Sequence, residues 1–253
     1  MRVGEGGVMP PFEVTIVIPL WNEAENVEAL VEMLSQVSAV RHGQGKVILV
    51  NNGSIDRTGD LAAQMAMTRA WLKVVHLPAN LNYGGGILQG CRQAETPYLC
   101  FIPGDLQYAA DDVDRVLKRL EEHHAQGRGA SILVKGSRRE RRDGAAASFV
   151  SSTYTLASNA VLRLGVRDVN GLPKAFHRAL LEALPPLAMH TFVLDAQLLY
   201  CARLSGWEID EVNVTFHRRA AGKSSWSGKR IRVYLKSLGQ LFQVRHRGAR
   251  QRR

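Results

Sequence analysis

The sequence predicts an α/β fold with a mostly parallel central sheet flanked by helices. Two observations lead there. Short β-branched runs alternate with segments of helical periodicity through the first half of the chain. The loops that follow these runs are polar, and open α/β sheets bind ligands at the carboxyl ends of their strands.

Residues 1–12 are rich in Gly and Pro and are expected to be loose. Val14–Pro19 (VTIVIP) reads as a buried strand. Asn22, with Glu25 three residues on, is the expected cap of a helix running to about Val40, with Val27, Leu30, Val31, Leu34 and Val37 on one face. Lys46–Val50 is a second strand, followed by the turn NNGSIDRT and a helix from Thr58 to about Ala70. Leu72–Leu77 is a third strand, followed by the loop PANLNYGGG and another helix. Tyr98–Ile102 is a fourth, ending in PGDLQYAADD, and a helix over Asp111–Glu122 leads to a strand over Ala130–Lys135.

The second half reads differently. RRERRDGAAASF is expected to be a mobile charged loop. Ser152–Leu164, Ala179–Leu184 and Leu194–Leu204 read as helices, RDVNGLPKAFH as a turn-rich stretch, and Glu208–Phe216 as a strand. The domain reading is a loose N-terminus (1–12), one α/β domain (13–227) and a basic amphipathic segment (228–253).

Hydrophobic residues make up 45% and charged residues 22% of 253, which excludes a disordered or collagen-like chain. No apolar run is long enough to cross a bilayer, and the first residues carry no apolar core of a secretory signal. Cys91, Cys100 and Cys201 lack metal-site spacing and suit a reducing cytosol. The net charge is +10, yet Val212–Arg253 alone holds twelve Lys and Arg and no acid, so the remainder is slightly acidic. In that segment Ile231, Tyr234, Leu235, Leu238, Leu241 and Phe242 fall at helical spacing among cations. This is the pattern of a helix lying on an anionic membrane, or of one packed on its own domain. Nucleic acid is not the expected partner, because no stacking platform or zinc module accompanies the charge.

Asp105 and Gln107 stand one residue apart after a strand, and in an extended segment they would face the same side. Their oxygens suit a hard divalent cation whose shell is completed by a substrate phosphate; the alternative is that Asp105 caps the turn. Asn51, Asn52, Gly53, Ser54 and Asp56 can read a base or ribose, or form an Asx turn. Gly84–Gly86 does not fit a dinucleotide fingerprint. Arg138, Arg139, Arg141 and Arg142 form one basic group, and Arg218, Arg219 and Lys223 another, both suited to phosphate.

P-L-W-N-E (19–23), N-N-G-S-I-D-R-T (51–58), G-D-L-Q (104–107), G-S-R (136–138) and R-x-x-G-K-S (219–224) occur in an order that resembles family-2 glycosyltransferases of the GT-A fold, in particular the dolichol- or polyprenyl-phosphate mannose or glucose synthases. The resemblance spans about Val14 to Ser225. It implies an inverting transfer of a sugar from a nucleotide-diphosphate sugar to a polyprenyl phosphate, at the cytoplasmic membrane face, with Mg²⁺ or Mn²⁺. On the same ground Pro19, Trp21, Glu23, Asn51, Asn52, Gly53, Gly104, Asp105, Gln107, Arg219 and Lys223 would bind the donor. Asp105 and Gln107 would hold the metal, and Arg138 and Arg142 the acceptor. Asp105 and Arg219 would be catalytic, with Asp195 as base if the acceptor is a hydroxyl. The chain departs from the family at Pro103, in place of the first metal aspartate, at Asn51 and Asn52, in place of an aspartate pair, and at Ser225, in place of a lysine. These departures leave a second reading, a nucleotide-sugar-binding protein that has lost catalysis.

Overall fold

The computed structural model describes residues 10–141, 145–185, 189–218 and 230–251. The elements in order are β1 (Val14–Leu20), α1 (Val27–Gln36), α2 (Ser38–Arg41), β2 (Gly45–Asn52), α3 (Thr58–Ala66), β3 (Leu72–Leu77), α4 (Asn82–Arg92), β4 (Tyr98–Phe101), α5 (Ala110–Ala125), β5 (Ile132–Arg141), α6 (Ala145–Leu162), β6 (Lys174–His177), α7 (Val193–Leu204), β7 (Glu208–Phe216) and α8 (Arg230–Gln251). The seven strands form one sheet in the order β3-β2-β1-β4-β6-β5-β7, in which only β6 runs antiparallel to its neighbours. Helices α1, α2, α3 and α5 pack together, as do α4, α7, α8 and α6. The apolar strands are covered: Val14, Ile16, Val17, Ile18 and Leu20 of β1 are all fully buried, as a central parallel strand requires.

Several expectations are corrected. Asn22 does not cap α1. It lies at φ +54° and its side chain accepts from Ile55 N, while the helix begins four residues beyond the expected point, after Asn26. The loop after β2 therefore captures Asn22 before the helix can. Chain expected as one helix to Val40 divides into α1 and α2, because Val37 is extended (ψ 126°). The Gly84–Gly86 triplet belongs to the first turns of α4, where Gly84 N and Gly85 N donate to His190 O (2.7 and 3.3 Å). Of RRERRDGAAASF, expected as a loop, Arg138–Arg141 continue β5, paired with β7, and residues 145–149 begin α6. The turn-rich RDVNGLPKAFH contains β6, in the middle of the sheet. Ala179–Leu184 is only a 3₁₀ turn over Arg178–Leu181.

The basic C-terminal segment is helical as expected and packs on α6 and α7. Ser237, Leu241 and Val244 are buried, whereas Phe242 and the cations Lys236 and Arg245 are exposed. Packing on its own domain thus takes up part of the apolar stripe. Among the described residues no helix is long and apolar enough to cross a membrane.

Candidate functional site

Strands β2, β1 and β4 are adjacent and parallel, so the loops after their carboxyl ends lie side by side on one rim. These are the loops that carry Pro19–Glu23, Asn51–Asp56 and Pro103–Gln107. Three non-glycine residues with left-handed backbone lie on this rim and beside it, Asn22 (φ 54°), Leu106 (φ 59°) and Asn82 (φ 61°) after β3. That conformation costs a leucine roughly 1–2 kcal/mol, and strain of this kind collects at functional sites.

Hydrogen bonds between the loops fix the rim. Glu23 N donates to Thr58 Oγ1 (2.8 Å), and Asn22 N to Ser54 Oγ (3.1 Å). Glu23 Oε2 accepts from Asn26 Nδ2 (2.6 Å). Asn51 Oδ1 accepts from Ser54 N (3.2 Å), and its amide nitrogen meets His76 Nδ1 (3.2 Å). Asn52 is buried. It donates to Asn80 Oδ1 (3.3 Å) and Asn82 O (3.0 Å) and accepts from Leu81 N (3.0 Å), so its amide ties β2 to the loop before α4. The turn-forming alternative therefore describes Asn51, whereas Asn52 bonds across to the chain before and at the start of α4. Trp21 is 45% exposed beside them. Two glycines permit this closeness. A side chain on Gly53 (φ 68°) would meet Ala79 C at 2.4 Å, and one on Gly104 would meet Leu20 Cδ2 at 2.2 Å.

Asp105 and Gln107 are not in an extended segment. Leu106 reverses the backbone, and Asp105 Oδ1 accepts from Gln107 N (3.3 Å) as a turn cap. Gln107 is also fastened to the far end of β7. Its Nε2 donates to His217 O (3.0 Å), and its carbonyl accepts from His217 N (2.9 Å). That bond turns the amide oxygen away from His217. Among the described residues no group of three or more His, Cys, Asp or Glu is placed to hold a metal. One carboxylate and one amide oxygen fit a hard cation only if a ligand phosphate completes the shell.

The other half of the rim is charged and internally paired. Arg138 forks onto Asp168, with Nε to Oδ2 and Nη2 to Oδ1 both at 2.7 Å, and its Nη2 also donates to Ser151 Oγ (2.8 Å). Its guanidinium lies over the Phe216 ring, 5.1 Å from the centroid. Burial pushes the Asp168 carboxyl up, but the hydrogen bonds and charge of Arg138 outweigh it and hold the group well below the usual range. Lys174 Nζ donates to Asp195 Oδ1 (2.6 Å) and Gly171 O (3.0 Å). Lys135 Nζ donates to Glu211 Oε1 (3.1 Å) and Gly136 O (2.7 Å). Burial, then the nearby Lys174 ammonium, lowers Lys135 to about 8. Burial raises Asp195 above its ordinary value despite Lys174.

The structure thus brings Pro19, Trp21, Glu23, Asn51, Asn52, Gly53, Gly104, Asp105 and Gln107 to one rim. Arg138 sits beside it, already engaged by Asp168. Asp195 is 2% exposed and engaged by Lys174, so it is a paired interior carboxylate. Arg142, Arg219 and Lys223 lie outside the described residues. Sequence reading missed Lys135 and Lys174. The signal was a lysine inside each of two apolar stretches, ILVKG and PKAF.

The family model "Glycosyl transferase family 2" matches residues 15–184. The undecaprenyl-phosphate 4-deoxy-4-formamido-L-arabinose transferase of Pseudomonas paraeruginosa is 28% identical over 223 residues, 86% of this chain but 61% of that protein. The chain therefore spans about three-fifths of the length of these first relatives. The polyprenol monophosphomannose synthase of Mycolicibacterium smegmatis is 26% identical over 235 residues, 89% of this chain and 85% of that one. Among solved structures, glucosyl-3-phosphoglycerate synthase from Mycobacterium tuberculosis, in complex with Mn²⁺, uridine diphosphate and phosphoglyceric acid, superposes with a TM-score of 0.67. The identity is 21%, over 91% of this chain and 78% of that one, and the likeness establishes the GT-A fold.

Proposed function

The chain belongs to glycosyl transferase family 2, and from that premise we propose that it transfers a sugar from a nucleotide-diphosphate sugar to a polyprenyl phosphate. The observation that carries the reading is the joining of three polar loops on the β2-β1-β4 rim, with Asp105 and Gln107 at its edge. The named relatives that act on undecaprenyl phosphate and polyprenol support the acceptor class.

In this reading Trp21 and Asn51 face the base and ribose, while Asn52 and Gly53 hold the loop in place. Asp105 and Gln107 would hold Mg²⁺ or Mn²⁺. Such a cation supplies positive charge to the departing diphosphate. Arg219 and Lys223 would add to that charge from the segment that follows His217, which Gln107 anchors. In the transfer, an acceptor phosphate oxygen bonds to the anomeric carbon as the bond from that carbon to the nucleoside diphosphate breaks, and the configuration inverts. A phosphate is already ionised near neutrality, so no general base is needed, in keeping with an Asp195 that neutralises Lys174. Arg138 then positions β5 against the Asp168 turn, so that Arg142 beyond it can meet the acceptor phosphate.

The same reading places the protein at the cytoplasmic membrane face, held by the exposed cations and Phe242 of α8. Each cation near an anionic surface contributes about 1 kcal/mol. Because Leu241 and Val244 are core residues, the test is charge reversal and not truncation. Lys236→Glu with Arg245→Glu should cut binding to phosphatidylglycerol vesicles at least tenfold and leave nucleotide binding unchanged. Equal binding by wild type and variant would exclude α8 as the membrane contact.

The test of function is a thermal-shift panel of nucleoside diphosphates and their sugars, with and without Mg²⁺ or Mn²⁺. Metal-dependent stabilisation by one nucleotide series is expected. No stabilisation by any would overturn the donor assignment. Stabilisation without turnover on a short polyprenyl phosphate would favour the binding-only reading that Pro103 suggests.

A further inference from the structure

Tyr83 lies in the first turn of α4 and is held in place through its neighbours. Asn52 Nδ2 donates to the carbonyl of Asn82 (3.0 Å), and the amide of Gly84 donates to His190 O (2.7 Å). The ring packs against the core. Its hydroxyl oxygen is enclosed and has no hydrogen-bond partner among the described residues. A buried hydroxyl left so costs roughly 1–3 kcal/mol, and an exception of this kind calls for an explanation.

The surroundings supply one. Charges from Asp195 of α7, Asp105 of the β4–α5 loop and Arg138 of β5 act on the Tyr83 hydroxyl, with Tyr108 alongside. It therefore lies within electrostatic reach of the Asp105 carboxylate and of the paired half of the rim. A second orphan borders the same cluster. Asn170 Oδ1 is buried without a partner among the described residues. It sits in the turn between Asp168, which holds Arg138, and Gly171, whose carbonyl accepts from Lys174. A hydroxyl that can donate and an amide oxygen that can accept are thus both without a partner among the described residues.

The charge balance selects the ligand chemistry. Arg138 faces Asp168, Lys174 faces Asp195, and Lys135 faces Glu211. A phosphate would meet cations already neutralised, whereas a neutral hydroxyl needs only a donor and an acceptor. We propose that Tyr83 is a positioning and specificity-determining residue whose hydroxyl donates a hydrogen bond to a hydroxyl of the sugar being transferred, with Asn170 accepting from the same sugar. This rests on the donor reading above, since the sugar must arrive on a nucleoside diphosphate.

The experiment compares wild type, Tyr83→Phe and Asn170→Ala as full chains. Each is titrated with UDP, UDP-glucose, GDP and GDP-mannose in the presence of Mn²⁺. A neutral hydrogen bond contributes about 0.5–1.5 kcal/mol, so Tyr83→Phe should bind the preferred sugar nucleotide about fivefold more weakly. Binding of the matching bare diphosphate should stay within about twofold. The free variant should melt no lower than wild type, because an unsatisfied hydroxyl has been removed. Asn170→Ala should show the same selective loss. Unchanged sugar-nucleotide binding by both variants, or an equal loss on the bare diphosphate, overturns the inference and leaves the donor reading intact. Failure of wild type to bind any of the four overturns both.

Discussion

One row across the sheet holds Ile48, Val17 and Phe101 on β2, β1 and β4, and then Lys174, Lys135 and Glu211 on β6, β5 and β7. The first three are an ordinary apolar core. The last three place two lysines opposite each other with no solvent exposure. Like charges directly opposite destabilise a sheet pair. Here Glu211 takes one lysine, Asp195 takes the other, and Phe101 lies 5.8 Å beneath Lys174 Nζ. The apolar half is stable through burial alone. The charged half is stable only while every partner is present, and it borders the rim where chemistry is proposed.

The largest effect should come from breaking that half. Lys174→Met leaves Asp195 buried and unpaired, and should cost about 3–5 kcal/mol in urea unfolding. Val17→Ala, in the same row, should cost about 2 kcal/mol. Finding Lys174→Met the milder of the two would break the contrast. The double variant Lys174→Met with Asp195→Leu should recover most of the loss.

Asp105→Ala tests the rim instead. Sugar transfer should fall at least about a hundredfold while the folded state is retained, since Asp105 lies in a half-buried loop outside the apolar core. Near-normal turnover by the purified variant would refute the metal assignment.

Two pH experiments sharpen the comparison. Asp168 is held below its ordinary pKa, so the folded state binds fewer protons than the unfolded chain in acid. Its stabilisation is complete above about pH 4 and is lost as pH falls. Asp168→Asn should cost about 3 kcal/mol at neutral pH and should flatten the acid limb of the stability curve. Lys135 gives a slope of the same sign in a different, alkaline window. Its folded pKa of about 8 lies below the unfolded value, so the unfolded chain binds the extra proton between the two. Wild-type stability should therefore climb as pH rises above 8. Lys135→Met should climb less, and parallel curves for the two proteins would remove Lys135 from the account.

The sequence made the apolar half legible and much of the charged half illegible. Leu72–Leu77 and Glu208–Phe216 are strands with the bounds their patterns predict. The loops after β1, β2 and β4 were identified from residue type and place alone. β6 was not, because Asn170, Gly171 and Pro173 signal turns and Lys174 reads as a surface residue. Nothing local says that an aspartate twenty-one residues later will neutralise it. The extended Asp105–Gln107 geometry failed for a related reason. The left-handed turn at Leu106 is held by a bond to His217, which is 110 residues away from Gln107.

Periodicity and strand-end polarity, both local properties, sufficed to determine an α/β sheet with a polar rim and a basic terminal helix. Which charges lie inside, which rim groups remain free for a ligand, and how much of the basic helix belongs to the core were settled only by tertiary packing. Pairing a buried charge, or orphaning a hydroxyl such as that of Tyr83, depends on what the rest of the chain brings within about 3 Å, a distance that sequence spacing does not encode.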